Sequence, residues 1–207
     1  MMELNKIKKA EKLDKNFYTR DPLTVARELL GKIFVRRENG ITLLGKIVET
    51  EAYDGATDES AHSYNGKTKR NAVMFEEGGV LYVYFTYGVH FCANVVTGQK
   101  DEGTAVLLRA FEPLNNFDLL AERRFNKSDI TEKEKLNLTN GPGKICQAFN
   151  IKRSENGISL LGNQIYILNS EPVSDGMTVQ TTRIGIKKST ELPWRFYIRN
   201  NPFVSKK

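Results

Sequence analysis

Hydrophobic residues along the chain fall mostly into short runs of the kind that form β-strands. Two runs, 32–37 and 41–53, flank Glu38-Asn39-Gly40, a strong hairpin turn signal, so we predict a pair of antiparallel strands there. The densest run, 80–96, is rich in β-branched and aromatic residues and breaks once, at Tyr87-Gly88, which indicates a second hairpin. Further strands are predicted over 104–112, 165–168, 181–186 and 195–199.

Helical patterns are fewer. Asp21-Pro22 combines an N-cap residue with proline at the first helical position, and an apolar stripe follows until Gly31. Residues 115–125 have a helical pattern, and residues 126–140 have the composition of a polar surface loop. A short helix is predicted to open at Gly141-Pro142-Gly143-Lys144. Because the strands do not alternate regularly with helices, we predict an α+β fold with a largely antiparallel sheet.

The length of the chain indicates how many domains it forms, and its charge indicates which class of partner it binds. A chain of 207 residues suits a single domain over 1–207, and residues 1–17 are expected to be a basic N-terminal arm or a poorly ordered segment. Lys and Arg outnumber Asp and Glu by 31 to 25, a formal net charge of +6. This excess suits an anionic partner, most simply nucleic acid.

The composition also argues against several classes of protein. Cys92 and Cys146 are the two cysteines and form no CxxC pair, which argues against a disulfide scaffold and a zinc ribbon. His62 and His90 are the two histidines, too few for a multi-histidine metal site. The sequence has neither an 18-residue apolar run nor an apolar signal segment. We therefore expect no metal, no cofactor, no membrane association and a cytoplasmic location.

Acidic residues concentrate just where the second predicted strand ends. In a strand, alternate residues share a face, so Glu49, Glu51 and Tyr53 should point one way, while Val48 and Ala52 enter the core. Adjacent carboxylates raise each other's pKa, and burial raises it further, so such a glutamate can act as a general base near neutral pH. The alternative is a solvated acidic edge that pairs with nearby lysines.

Aromatic residues crowd the second predicted hairpin. Tyr82 and Tyr84 share one strand face, and Tyr87 at the tip would project a ring outward. An exposed aromatic wedge between bases is a recurrent device of nucleic-acid enzymes, although a plain sheet core is the alternative. His62 is open to three interpretations: a base, a stacking or hydrogen-bonding residue of a pocket, or an ordinary loop residue.

Two further features could bind charged groups. Arg109 lies in an otherwise apolar strand and needs a carboxylate or phosphate partner; Glu51 is one candidate, and a structural ion pair is the alternative. The Gly141–Lys144 segment offers backbone N–H groups and a cation to a phosphate, but it lacks the spacing of a nucleotide-triphosphate loop.

Seven ordered segments together resemble the alkyladenine (3-methyladenine) DNA glycosylase family, also called the methylpurine-DNA glycosylase family. The resemblance extends from about Tyr18 to Val204 with few insertions. It implies a curved, largely antiparallel sheet with peripheral helices and a protruding aromatic β-hairpin. The segments are VETEAYDGATDESAHS at 48–63, RNAVMF at 70–75, GGVLYVYFTYGVHFCANVVTG at 78–98, AVLLRAFEP at 105–113, GPGKICQAF at 141–149, RIGI at 183–186 and RFYIR at 195–199.

The resemblance implies a reaction and a catalytic group. A damaged purine is flipped out of duplex DNA and its N-glycosidic bond is hydrolysed, which leaves an abasic site. Glu51 corresponds to the general base for a water molecule, and Arg109 and the backbone carbonyl of Ile184 correspond to groups that hold this water. The expected substrates are 3-methyladenine and other alkylated purines, hypoxanthine and ethenoadenine. We expect a monofunctional enzyme that acts as a monomer.

The resemblance also implies the residues that bind the base and the duplex. Tyr53, His62 and Tyr84 correspond to the base pocket, and Asn94 to a residue that disfavours the 2-amino group of guanine. Tyr87 corresponds to the ring that fills the gap left in the duplex. Phosphate contacts are expected from a set of basic and backbone groups, Lys67, Lys69, Arg70, Gly143 and Lys144.

Two other functions remain compatible with the residues alone. One is a non-enzymatic nucleic-acid binding module whose aromatic hairpin stacks bases. The other is a metal-dependent nuclease in which the acids of 49–59 surround a divalent cation, namely Glu49, Glu51, Asp54, Asp58 and Glu59.

Overall fold

The structure is a computed structural model that describes residues 10–86 and 88–206. The first predicted hairpin is present in it. Strand β1 (Ile33–Glu38) pairs antiparallel with strand β2 (Ile41–Asp54). Asn39 and Gly40 join them with φ of 47° and 76°, the left-handed conformations that a two-residue hairpin turn favours.

The second predicted hairpin lies at the other end of the same sheet. Strands β3 (Leu81–Thr86) and β4 (His90–Thr97) pair antiparallel, β4 pairs with β5 (Thr104–Pro113), and β5 pairs with β2. Strand β6 (Ile165–Leu168) adds to the free edge of β1. The sheet order is therefore β3-β4-β5-β2-β1-β6.

Strand β2 is the centre of the sheet because it changes partner along its length. Its first half pairs with β1, and over Glu49–Glu51 it pairs instead with strand β8 (Arg195–Ile198), which also pairs with β7 (Thr178–Thr181). The β2–β5 register shifts on both sides of Glu49, as in a bulge. Bulges bend a strand and increase its twist, which accords with the curled antiparallel sheet observed.

Within the described residues five α-helices pack around the sheet, and the α+β class is confirmed. Helix α2 begins as predicted: the Asp21 side chain accepts hydrogen bonds from the N–H groups of Leu23 and Thr24, both at 3.0 Å. The helices are α1 (Lys15–Tyr18), α2 (Pro22–Glu28), α3 (Phe117–Phe125), α4 (Glu132–Leu136) and α5 (Pro142–Ala148), with 3₁₀ turns at Ala72–Phe75, Arg153–Glu155 and Asp175–Met177.

The main core lies between the sheet and these helices. Phe34 of β1, Phe111 of β5 and Phe149 after α5 form a triad of buried rings with centroids 5.1–5.9 Å apart. Val48 and Ala52 of β2 enter the same core, as the alternation predicted. The opposite face of β2, with Glu49, is therefore free to carry polar groups.

Two segments differ from the sequence prediction. The strand expected at 181–186 is wrong: β7 ends at Thr181, and the buried Arg183 makes side-chain contacts that replace a strand ladder. The polar loop expected at 126–140 contains α4, because Thr131 and Glu134 form a reciprocal capping box.

The N-terminal segment is attached to the sheet over its described part. The Leu13 N–H donates to the Ile167 carbonyl at 2.9 Å, and the Leu13 side chain is buried. Residues 1–9 of the expected basic arm lie outside the described residues. No helix in the described part of the chain is both long enough and apolar enough to cross a bilayer.

Gly78 provides a test of the packing between α1 and the sheet. A Cβ atom at this position would lie 2.3 Å from the Tyr18 backbone oxygen, so we expect Gly78→Ala to lower the free energy of unfolding by about 2 kcal/mol. The matched control is Gly176→Ala, whose Cβ would meet nothing within 4 Å. Thermal unfolding should show a decrease of about 4–8 °C for Gly78→Ala alone. Equal melting temperatures for the two variants would contradict this packing.

Candidate active site

A cleft of about 550 Å³ opens beside β3, β4 and β5. Its walls combine aromatic rings with polar side chains, as in pockets that bind planar organic ligands. The structure brings together the four residues predicted for a base pocket, which all line the cleft: Tyr53, His62, Tyr84 and Asn94.

Glu51 lies beneath the wall of this cleft and has no solvent-exposed surface. Its Oε1 accepts the Ile184 N–H at 2.8 Å and lies 3.2 Å from Arg109 Nη1, and its Oε2 accepts the Tyr53 hydroxyl at 2.9 Å. All three partners line the cleft. The carboxylate is therefore held directly behind the cleft lining by a cation and two neutral donors.

Burial is the main influence on the Glu51 pKa. Loss of solvation raises the pKa of this carboxyl above its ordinary value, and the nearby Glu49 carboxylate raises it further. The Arg109 cation, the Ile184 N–H and the Tyr53 hydroxyl oppose this increase. Burial and the neighbouring Glu51 charge also raise the pKa of Tyr53, so the phenol keeps the proton that it donates.

Both glutamates share a face of β2, as predicted, but this face is not open. Glu49 and Glu51 are both fully buried, because Arg109 lies across them and pairs with each. In the β2–β5 register Glu49 pairs with Ala110 and the next residue, Thr50, pairs with Leu108. Arg109 therefore has no partner residue in β2 and lies at the bulge. The bulge therefore directs the guanidinium toward the two carboxylates, a common use of bulges near active sites.

A buried ion pair holds the loop that carries Ile184. The Arg183 guanidinium makes a bidentate contact with the Asp58 carboxylate, and both side chains are fully buried. The same guanidinium lies 4.6 Å from the centre of the Tyr53 ring and 5.2 Å from that of Trp194. This contact fixes one face of Tyr53 and places the Ile184 N–H against Glu51.

His62 contacts two tyrosines across the cleft. Its Nδ1 lies 3.2 Å from the Tyr82 hydroxyl, and its ring meets the Tyr84 ring edge to face with centroids 4.5 Å apart. Tyr82 is buried, yet it also lines the cleft. His62 keeps an exposed edge, but partial burial, and then the Arg70 cation, lower its pKa.

Asn94 is oriented by a backbone contact. Its Nδ2 donates to the Tyr82 carbonyl at 3.2 Å, and the residue is buried between β3 and β5. Cys92 lines the same cleft, and burial raises the pKa of its thiol. Both cysteines in the chain are free.

The expected phosphate-binding residues do not form one cluster. Lys67 pairs with Asp101 at 3.5 Å, and Arg70 donates to the Phe85 carbonyl at 3.4 Å. Lys69 is exposed. The last two, Gly143 and Lys144, lie in α5, where Gly143 packs against His90 and Lys144 donates to the side chains of Asn137 and Asn140.

The tip of the aromatic hairpin is described only in part. Tyr87 lies outside the described residues, so its expected role as a wedge stays a prediction. Phe85 and Val89 on either side are exposed, at 41% and 67%. The projection of the hairpin from the sheet also stays a prediction.

The acids of 49–59 are dispersed among separate partners. Asp54 accepts from the Ala56 N–H and the Thr57 hydroxyl, whereas Glu59 pairs with Lys188 at 2.9 Å. Throughout 10–86 and 88–206, no three His, Cys, Asp or Glu side chains are grouped as a metal site requires. Nothing in this geometry supports the nuclease alternative.

Three contributors to the site were not identified from the sequence. Arg183, Arg195 and Ser205 all contact the acids behind the cleft, across more than 120 residues of chain. Arg183 and Arg195 do lie in the RIGI and RFYIR segments, and the position of Arg195 between Trp194 and Phe196 was a usable signal, as the apolar strand was for Arg109. No pattern marks Ser205.

Comparison with known proteins matches residues 16–202 to the family model described as "Methylpurine-DNA glycosylase (MPG)". A protein of Clostridium beijerinckii is 47% identical over 201 residues, which cover 94% of this chain and 99% of that protein. One of Carboxydothermus hydrogenoformans is 50% identical over 196 residues, with coverage of 94% and 99%. Both are named "Putative 3-methyladenine DNA glycosylase".

Taken with these matches, the curled sheet and its cleft define an enzyme of base excision repair, a DNA glycosylase. The chain belongs to the methylpurine-DNA glycosylase family, because the family model covers nearly all of it. The resemblance found in the sequence is thereby confirmed.

The environment of His62 predicts its titration. Because burial and Arg70 both disfavour the imidazolium, we expect the His62 midpoint to lie below 6.5, so that the ring is neutral at pH 7. NMR titration of the ring protons measures this midpoint, and His90→Asn assigns the two histidine signals. Arg70→Gln should raise the His62 midpoint, since it removes a cation. A midpoint above 6.5 in the wild-type protein would refute this description.

Proposed function

We propose that the chain is a monofunctional DNA-3-methyladenine glycosylase, which hydrolyses the bond between a damaged purine and its deoxyribose. The observation that carries this proposal is the Glu51 carboxylate, buried beneath an aromatic cleft and held by Arg109, Tyr53 and the Ile184 N–H. The names of the Clostridium and Carboxydothermus relatives support the same substrate class.

The chemistry of the bond explains the need for a buried carboxylate. Cleavage of the C1′–N bond builds positive charge on the sugar, as in other glycoside hydrolyses. An ionised Glu51 stabilises this charge and accepts a proton from the attacking water. In the described residues Oε2 accepts only the Tyr53 hydroxyl, so a lone pair of this buried oxygen remains for a water that the proposed reaction admits from the cleft. Arg109 and the Ile184 carbonyl are proposed to orient the same water.

The cleft is proposed to receive the purine after it leaves the duplex. A stacked base cannot reach a buried carboxylate, so the nucleotide must rotate outward at a cost of a few kcal/mol. Tyr53, His62 and Tyr84 offer ring faces and edges to the purine, and Asn94 is proposed to disfavour a 2-amino group. Tyr87 is proposed to fill the vacated stack, on the resemblance alone.

The proposed substrates differ in how much help the leaving base needs. Alkylated purines such as 3-methyladenine carry positive charge and leave readily, whereas hypoxanthine and ethenoadenine are neutral and need a proton. Lys188 at the cleft rim is paired with Glu59, which raises its pKa and keeps it cationic, so it is a poor amine nucleophile. This argues against Lys188 as the nucleophile, although Lys187 also lines the cleft, and the proposed product is an abasic site without strand cleavage.

A second, basic groove beside the cleft supports the DNA partner. Helix α5 connects the two, since Pro142 lines the cleft and Lys144 lines a groove of about 580 Å³ with Arg124. Burial and the Arg124 cation lower the Lys144 pKa, yet within the described chain both groups donate hydrogen bonds only to neutral oxygens. Two adjacent cations without a carboxylate partner suit a DNA phosphate.

The remaining assignments complete the proposal. Residues 1–207 act as one glycosylase domain, as a monomer, on double-stranded DNA that contains a damaged purine. The location is the cytoplasm, where bacterial DNA lies.

Glu51→Gln tests the reaction. Glutamine keeps the shape of the side chain but neither stabilises a cation by charge nor accepts the proton, so we expect release of 3-methyladenine to decrease at least about 100-fold. Chromatography of the free base from methylated duplex measures release, in parallel reactions with and without chelator. Binding to the lesion should persist, and strands should break only after alkali.

The matched control for Glu51→Gln is Glu155→Gln. Glu155 is also buried and paired with an arginine, Arg36 at 3.0 Å, but it lies outside the cleft. Wild-type release by Glu51→Gln would overturn the mechanism, and nicking without alkali that chelator abolishes would favour the nuclease instead.

The basic groove predicts a change in salt dependence. Arg124→Gln and Lys144→Gln should each weaken binding to undamaged duplex and reduce the slope of log affinity against log salt by about 1. Fluorescence anisotropy of a labelled duplex over a salt series measures both quantities. Lys12→Gln is the control, because Lys12 lies beside β6 at the opposite edge of the sheet. If neither groove variant changes the slope, DNA does not contact this groove.

A further inference from the structure

Glu49 is a second buried carboxylate, directly behind Glu51, to which the proposed reaction assigns no step. It is fully buried, and its Oε1 lies 3.2 Å from Arg109 Nε and 2.8 Å from Arg195 Nη1. A carboxylate that contacts two guanidiniums is held firmly, and it holds them in turn. Glu49 therefore fixes the position of Arg109.

A segment from the far end of the chain completes this contact. The Ser205 N–H donates to Glu49 Oε2 at 2.7 Å, and the Ser205 hydroxyl donates to Oε1 at 3.0 Å. Arg195 Nη1 also donates to the Lys206 carbonyl at 2.8 Å. The buried side chains of Phe203 and Val204 attach this segment to the core.

Arg109 connects the two carboxylates. It uses Nε for Glu49 and Nη1 for Glu51, and a guanidinium is planar and rigid, so a bond to one nitrogen sets the direction of the other. The buried set contains two carboxylates and, with Arg195, two cations. The charges balance: Arg195 pairs with Glu49, and Arg109 contacts both carboxylates, so Glu49 draws on part of the Arg109 charge that Glu51 uses.

We propose that Glu49 is a positioning residue for base release: it orients Arg109 toward Glu51 and, by sharing Arg109 with Glu51 while it pairs with Arg195, sets how strongly Glu51 is held as a carboxylate. This inference rests on the proposed function, since it acts through Glu51 as the base. It assigns a role in the reaction to the Arg195 and Ser205 contacts as well.

Several charged and titratable groups face Glu51. Burial raises its pKa, the Arg109 cation opposes this, and the Glu49 charge adds to the increase. Removal of the negative charge at position 49 should therefore lower the Glu51 pKa, whereas removal of the positive charge at position 195 should raise it. The facing groups are Glu49 and Tyr53 of β2, Arg109 of β5, Arg195 of β8, Tyr84 of β3 and Arg183 of the loop.

The experiment compares the pH dependence of kcat/KM for base release in Glu49→Gln and Arg195→Met. The acid limb of this profile is the range in which activity decreases as Glu51 becomes protonated. We expect it to shift by about one pH unit, downward in Glu49→Gln and upward in Arg195→Met. We expect kcat to decrease about tenfold in each, because Arg109 is less well oriented, with KM within about threefold. Glu49→Asp, which keeps the charge, should restore the wild-type acid limb.

Two further variants keep the test decisive. Glu155→Gln removes an equally buried, arginine-paired carboxylate and should change stability but not the pH profile. If a charge variant fails to fold, Ser205→Ala removes one donor to Glu49 and should shift the acid limb in the direction of Arg195→Met, by a smaller amount.

The outcomes separate this inference from the proposed function. If the folded variants keep the wild-type acid limb and kcat, Glu49 has a structural role only. The same conclusion follows if the acid limb shifts in the same direction in Glu49→Gln and in Arg195→Met. If Glu51→Gln itself stays active, the proposed function fails first. If Glu51→Gln is inactive while the Glu49 variants behave as wild type, this inference alone fails.

Discussion

The buried guanidinium of Arg109 is the interaction on which the rest of the site depends. A cation that is only 8% exposed needs partners, because an unpaired buried charge costs several kcal/mol. Two carboxylates of β2 supply them, and they can do so because alternate residues of a strand share a face and a bulge turns Arg109 toward this face. The arrangement of the central strands is thus inseparable from the electrostatics of the cleft.

The site divides between rigid strands and loops held by charge. The Glu51 carboxylate and the Arg109 guanidinium belong to the central strands β2 and β5, which hold side chains in more precise positions than loops do. The outer wall, in contrast, is loop, and the buried Arg183–Asp58 pair fixes it in place of a backbone ladder. A scaffold of this kind can hold the reacting groups still while the residues that contact a ligand vary.

Local patterns in the sequence predicted local structure well. The turn at Asn39-Gly40 and the shared face of Glu49 and Glu51 follow from rules that act over a few residues. The Thr131–Glu134 capping box was equally readable, but the polar composition of its surroundings concealed it.

The sequence could not show which distant residues would meet. Arg183 was assigned to a strand because nothing near it reveals Asp58, 125 residues away, and no local rule connects Ser205 with Glu49. The resemblance to a known family located the pocket residues for a different reason, since it carries information about the whole fold. Burial of both glutamates depends on contacts of this long-range kind.

The distances along the chain have a consequence for folding. The groups around Glu49 come from residues 49, 109, 195 and 205, so their contacts span up to 156 residues and close only when β2, β5 and β8 are together. Contacts between residues so far apart in the sequence form late in folding, because closing the long loops between those residues costs conformational entropy. In the proposed mechanism, a partly folded chain therefore has no oriented carboxylate and releases no base until the sheet is complete.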